Sequence, residues 1–101
     1  MTTTAQDSTV QREKGEHGGR YVIRLESDDE AVMTYKDMPG DTIAIDHTFV
    51  PPRYRGQGHA ELLVQAAIDD ARTENLRIIP VCSYVAAQFR RHPEWRDLLA
   101  P

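Results

Sequence analysis

Apolar and polar residues alternate along three successive stretches of the first half of the chain, and the period then changes. Tyr21, Ile23 and Leu25 share one side of residues 20–26, and Ala31, Met33 and Tyr35 do the same in the next run. Across residues 42–50, Ile43, Ile45, His47 and Phe49 alternate with Thr42, Ala44, Asp46 and Thr48. A period of two belongs to strands with one buried face. Ser27-Asp28-Asp29 and Asp37-Met38-Pro39-Gly40 supply turn chemistry between the runs, so the pattern predicts three antiparallel strands. Pro51-Pro52 ends the third, because neither proline has an N–H to continue a ladder.

From Gly58 to about Glu74 the spacing becomes helical. Ala60, Leu63, Ala67 and Ala71, widened by Val64 and Ile68, form one stripe against Glu61, Gln65, Asp69 and Arg72. The helix should end near Asn75. Residues 77–82 read as a short strand, and a helical connection of this length favours a right-handed crossover that sets it parallel to the third strand. Pro80 inside it predicts an edge, a bulge or a neighbour that splays away. Residues 84–91 predict a short helix carrying Val85 and Phe89, and Pro93 opens a last turn with Trp95, Leu98 and Leu99. Residues 1–19 are polar and without a period, which reads as a flexible leader before a single domain at 20–101. The expected fold class is α/β (α+β), a mixed, mostly antiparallel sheet with packed helices.

Composition narrows the functional classes. The net charge of -4 is unevenly spread: residues 1–50 hold ten acidic and five basic side chains, the remainder six and seven. This arrangement fits an anionic ligand on the second half facing a cationic acceptor on the first, although screened surface charge is the simpler explanation. A nucleic-acid binder would show a basic excess with interleaved aromatics, so nucleic acid is not an expected partner. No apolar run is long enough to span a bilayer, and Met1-Thr2-Thr3-Thr4-Ala5 lacks the regions of a signal peptide, so no membrane association and a cytoplasmic location are expected. The single cysteine, Cys82, excludes an internal disulfide. His17, His47, His59 and His92 lack mutual ligand spacing, so no metal is expected.

The segment between the third strand and the long helix carries the most chemical information. Arg53, Gly56, Gly58 and Ala60 recur at fixed offsets just before a helix whose first turn has unpaired N–H groups and a partial positive charge. Glycine lets a diphosphate approach that backbone, and Arg53 and Arg55 can add charge-assisted bonds at the rim. The segment lacks the Gly-Lys-Ser/Thr of a P-loop, and Glu61 stands at the third-glycine place of a dinucleotide fingerprint.

This order of elements resembles the acetyl-coenzyme A half of the GNAT acetyltransferase superfamily. More narrowly, His47-Thr48-Phe49-Val50-Pro51, Tyr54-Arg55-Gly56-Gln57-Gly58, Val81-Cys82-Ser83-Tyr84 and Arg91-His92-Pro93-Glu94 resemble the small single-domain N-acetyltransferase-like family. Phe49 departs from that family's glutamate after His-Thr, and His59 from its usual aliphatic residue. The resemblance implies acetyl-CoA as co-substrate and an amine acceptor, of which a protein amine is one candidate. It implies a coenzyme-binding set of Phe49, Val50, Arg53, Arg55, Gly56, Gln57, Gly58, His59 and Ala60. The thioester would lie between residues 47–50 and 81–84, beside Cys82. Cys82 could accept acetyl or protonate the departing thiolate, Tyr84 is a second acid, and His47 is a base candidate that the alternation equally well makes a core residue. The larger enzymes of the superfamily have a helical N-terminal region that helps wall the acceptor site, and its apparent lack here implies an open acceptor cleft. Replacement of the acid by Phe49 keeps a second class open, a non-catalytic acyl-CoA sensor or protein-interaction module. A nucleotide-binding regulator is a third.

Overall fold

A computed structural model describes residues 10–101. Three of its five strands fall where the alternation puts them: β2 (Gly18–Arg24), β3 (Glu30–Met38) and β4 (Thr42–Phe49) form an antiparallel meander. β1 (Val10–Lys14) precedes them and β5 (Arg77–Pro80) follows the long helix α1 (His59–Glu74), giving the sheet order β1-β2-β3-β4-β5. β5 runs parallel to β4, as the crossover predicts, and Pro80 sits on an edge strand. The short helix α2 (Ser83–Arg91) and a 3-10 segment (Pro93–Leu98) complete the chain.

The expected leader is partly a strand. β1 pairs with β2 from Val10↔Ile23 to Lys14↔Gly19; residues 1–9 lie outside the described residues. The sequence hid β1 because its central core-side position is an arginine. Arg12 reaches past the rings of Tyr21 and Tyr35 and donates to Tyr35 Oη at 3.0 Å, Asp70 Oδ2 at 3.2 Å and Glu74 Oε2 at 2.6 Å. Tyr21 Oη donates to the same Asp70 oxygen at 2.9 Å. The first strand is thus tied to α1 by charge and phenols rather than by an apolar stripe. Gly18 and Gly19 make the hairpin possible: a Cβ on Gly18 would lie 2.3 Å from the Tyr35 carbonyl oxygen, and one on Gly19 2.5 Å from that of Glu13.

One face of the sheet is covered. Tyr21, Ile23, Met33, Tyr35, Ile43 and Ile45 meet Leu63, Val64, Ala67 and Ile68 of α1, Val85 and Phe89 of α2, and Trp95 and Leu98 in one apolar cluster. Burying such side chains contributes about 1.5–3 kcal/mol each. Among the described residues no helix packs on the other face. There Arg20 pairs with Glu13 at 2.7 Å and Glu30 at 3.3 Å, while Arg24 pairs with Glu13 at 3.0 Å and with Glu30. Val22, between Arg20 and Arg24 on this face, is fully buried.

Two irregularities open the sheet at one end. Tyr35 pairs with Ile45 but Thr34 pairs with His47, so Asp46 is an extra residue, a bulge held by Thr34 Oγ1 donating to Asp46 Oδ1 at 2.6 Å. The bulge reverses the facing of the residues after it. Thr48, opposite the buried Met33, turns toward the helices, while His47 and Phe49 turn to the uncovered face. Strict alternation had kept His47 in phase with Ile43 and Ile45; it is instead exposed. In addition, the β4–β5 ladder stops at Ile45↔Pro80, with one further bond from Cys82 N–H to the Ile45 carbonyl at 2.9 Å. Among the described residues the last part of β4 therefore has no strand beside it on that side.

Candidate active site

Pro51-Pro52 turns the chain out of β4 into a 3-10 turn at Pro52–Tyr54, where the Tyr54 N–H reaches the Pro51 carbonyl at 2.9 Å. Gly56 and Gly58 follow with φ of +80° and +87°. Their need for glycine is conformational, since no protein atom comes within 4 Å of a Cβ added at Gly56 and the nearest to one at Gly58 is Glu61 Oε1 at 3.8 Å. The left-handed residues swing the chain straight into α1. Gly58 caps that helix without a side chain, and its carbonyl accepts the first helical bond from Leu62 at 3.1 Å. The N–H groups of the first turn consequently have no partner within the helix.

That turn borders a cleft of about 590 Å³, bounded by the end of β4, the loop, the first turn of α1 and one face of α2. Of the coenzyme-binding residues expected from sequence, Phe49, Val50, Arg55, Gly56, Gly58, His59 and Ala60 line it. Arg55 donates from Nε to the Val50 carbonyl at 2.9 Å with its guanidinium 5.9 Å from the Phe49 ring centroid, which fixes it at the mouth. Its outer N–H groups have no protein acceptor among the described residues. Arg53 and Gln57 do not line the cleft. Arg53 lies over the Tyr54 ring, and Gln57 Nε2 donates to the Arg53 carbonyl at 3.5 Å. His59 Nδ1 is 3.4 Å from the Tyr54 carbonyl and its ring meets Tyr54 edge-on.

Of the expected catalytic residues, Tyr84 lines the cleft and Cys82 stands just behind Thr48, with the thiol directed at Thr48 Oγ1 at 3.5 Å. Burial pushes the Cys82 thiol up, but the Thr48 hydroxyl and the N–H groups of Val85, Tyr84 and Thr48 outweigh it, and the thiol is held below its ordinary value. Burial and the nearby Glu61 carboxylate push the Tyr84 phenol up against the opposing pull of Arg91. Tyr84 therefore stays protonated at neutral pH. His47 is not brought to this site, because the bulge points it to the other face.

Thr48, Glu61, Gln88 and Arg91 also line the cleft without having been singled out from sequence. Gln88 and Arg91 follow Tyr84 at i+4 and i+7, so helical spacing alone could have added them once Tyr84 was chosen. Glu61 lies in the first turn of α1. Thr48 lies in the 47–50 segment expected beside the thioester, but strict alternation sets it on the face away from Ile43 and Ile45, and only the bulge turns it inward.

The fold is a mostly antiparallel sheet whose parallel β5 parts from β4 beside a glycine-bearing helix entrance. Residues 20–98 match the profile of the GCN5-related N-acetyl-transferase family, and the chain belongs to that family. Its curated relatives include Protein NATD1 of Xenopus tropicalis, 30% identical over 87 residues, covering 85% of this chain and 80% of the relative. NATD1 of Danio rerio is 35% identical over 75 residues, covering 73% and 68%. A GCN5-like protein of Staphylococcus aureus solved by NMR superposes with a TM-score of 0.69 at 30% identity, over 92% of this chain and 90% of that one. A ribosomal-protein-alanine N-acetyltransferase from Brucella melitensis shares the fold at a TM-score of 0.58 and 17% identity, over 84% and 64%. Among the described residues no helix is long and apolar enough to cross a membrane, and no cluster of side chains is arranged to hold a metal ion.

Proposed function

We propose that the chain binds acetyl-coenzyme A in this cleft and transfers the acetyl group to an amine. One observation carries the reading. An uncapped helix entrance, reached through two left-handed glycines, opens onto the same cleft as the end of β4 that lacks a strand beside it. The coenzyme diphosphate would accept from the first-turn N–H groups of α1 and from Arg55, where the helix dipole favours negative charge. Its thioester would then lie by Thr48 and Tyr84. Unpaired main-chain donors of β4 in that gap would polarise the thioester carbonyl and hold the developing oxyanion without reorganisation.

Transfer begins with a neutral amine. At a pKa of about 10.4, roughly one lysine-like amine in several thousand is neutral at pH 7. Its nitrogen forms the new C–N bond as the C–S bond breaks, the departing thiolate takes the Tyr84 proton, and the proton lost by nitrogen returns to Tyr84 through water. The lowered Cys82 thiol supports a two-step variant. A Cys82 thiolate would first take the acetyl from the coenzyme, releasing its thiolate, and the amine would then take it from Cys82. The amine would come from the opposite face of the sheet, where no helix stands among the described residues. Breadth of access there supports an acceptor presented by a larger molecule, with a protein amine as the first candidate.

Calorimetric titration with acetyl-CoA, followed by transfer assays on small amines and lysine peptides, tests the reading. Binding and transfer are expected, and Tyr84→Phe should bind the coenzyme normally yet turn over at least about a hundredfold more slowly. An acetyl mass increment at Cys82 would select the two-step variant. Tight binding without turnover on any amine would favour the acyl-CoA sensor, whose support is the exposed Phe49 beside the cleft. No binding at millimolar coenzyme would sink both.

A further inference from the structure

Among the described residues Gln88 is the one polar residue in the buried set, with 5% of its surface exposed, and it lines the cleft. It lies one turn along α2 from Tyr84 and just short of a turn from Arg91, on the face that forms the cleft wall. The hydrogen bonds formed nearby, Cys82 to Thr48 and His92 to Glu94, pass it by, and its carboxamide has no partner among the described residues. A glutamine side chain carries two N–H donors and an oxygen that can accept twice. Leaving such a group dry and unbonded is costly, and native proteins rarely do so without a use for it.

The place of Gln88 in the cleft limits what it can meet. Beside it are Tyr84, with a protonated phenol, and Arg91, while Glu61 and Arg55 face it from α1 and the loop. A ligand anion would be drawn to Arg55 and Arg91 and to the α1 entrance, not to a neutral carboxamide. The matching partner of a carboxamide is another amide, which offers one donor and one acceptor side by side. Coenzyme A carries one two methylene groups from its sulfur. That offset is close to the rise of one helical turn, about 5.4 Å, which separates Gln88 from Tyr84 at the thioester end.

We propose that Gln88 is a specificity-determining residue that reads the amide nearest the sulfur of the pantetheine arm. Its amide N–H donates to the ligand carbonyl, and its oxygen accepts from the ligand N–H. The inference rests on the acetyl-coenzyme A reading of the cleft. It adds that the unliganded protein holds an unsatisfied polar group which the ligand arm completes, so that selection for the arm and stability of the empty protein oppose one another at this position.

The test compares coenzyme A with its nucleotide half, 3′-phospho-ADP, which occupies the helix entrance but has no arm. Calorimetric titration of the full chain and of Gln88→Leu should show coenzyme A binding weakened about tenfold by the loss of two neutral hydrogen bonds, with 3′-phospho-ADP unchanged. The unliganded variant should melt at or above the wild-type temperature. Gln88→Met, with an unbranched stem, repeats the measurement if leucine packs poorly. Equal weakening of both ligands would show a merely structural role and overturn the proposal, as would unchanged coenzyme A binding. Failure of the wild-type protein to bind coenzyme A would overturn it together with the reading of the cleft, whereas a defect confined to the arm of the ligand supports both.

Discussion

Gly58 offers a test in which stability and binding constrain each other. At φ +87° an alanine there costs roughly 1–2 kcal/mol relative to glycine, because its Cβ crowds the following carbonyl. That is the whole penalty on the protein side, since the nearest atom to an added Cβ, Glu61 Oε1 at 3.8 Å, is an ordinary contact. Gly58→Ala then has two ways to respond. If the loop keeps its left-handed turn, the folded state loses the full amount, a fall of roughly 4–8 °C in melting temperature for each kcal/mol in a domain of this size. If the loop relaxes to negative φ, stability is preserved, but the entrance of α1 no longer points its N–H groups at the cleft. Restoring that geometry on binding then draws on the same 1–2 kcal/mol, a loss of roughly 5- to 30-fold in coenzyme affinity. The two losses should therefore sum to about the same total whichever way the loop moves. Urea denaturation and calorimetric titration with coenzyme A on one preparation measure both. Gly58→Asn, whose side chain tolerates the left-handed region, should show a smaller sum. A Gly58→Ala protein with wild-type stability and wild-type affinity would refute the claim that this turn builds the site.

Two further outcomes follow from neighbouring geometry. Arg12→Met keeps an unbranched stem over Tyr21 and Tyr35 but removes the bonds to Tyr35, Asp70 and Glu74, and should lower unfolding free energy by roughly 1–3 kcal/mol in urea melts; an unchanged midpoint would mean that β1 is not fastened to α1 as described. Cys82 should alkylate with a pH midpoint below that of a free cysteine, because a lowered thiol stays ionised to lower pH, and Thr48→Val should move that midpoint upward by removing the hydroxyl that favours the thiolate; coincident rate–pH profiles for the two proteins would show that Thr48 does not set it.

The sequence by itself determined the meander of β2 to β4, the stripe of α1, the parallel return of β5, and the glycine-bearing helix entrance, while leaving Pro80 an edge, a bulge or a splayed neighbour. Each of these is written in a local period or in backbone chemistry that neighbouring residues enforce. Gly56 and Gly58 could be read as a turn because few other residues enter the left-handed region cheaply. What the tertiary structure alone decided is of a different kind. β1 was invisible because Arg12 takes a core-side place only when Tyr35, Asp70 and Glu74 stand ready to receive it, and those partners are 23, 58 and 62 residues away. His47 was assigned to the wrong face, and Thr48 missed, because one extra residue at Asp46 reverses every facing after it, and nothing in a strict alternation announces a bulge. Gln88 carries no signal of its own in the sequence, and only the packing of α2 against β4, β5 and the final turn buries it in the wall of a cleft. Local periodicity fixes which residues share an element face; which of those faces meet across the fold, and which polar group is left waiting between them, is settled by contacts between residues far apart in the chain.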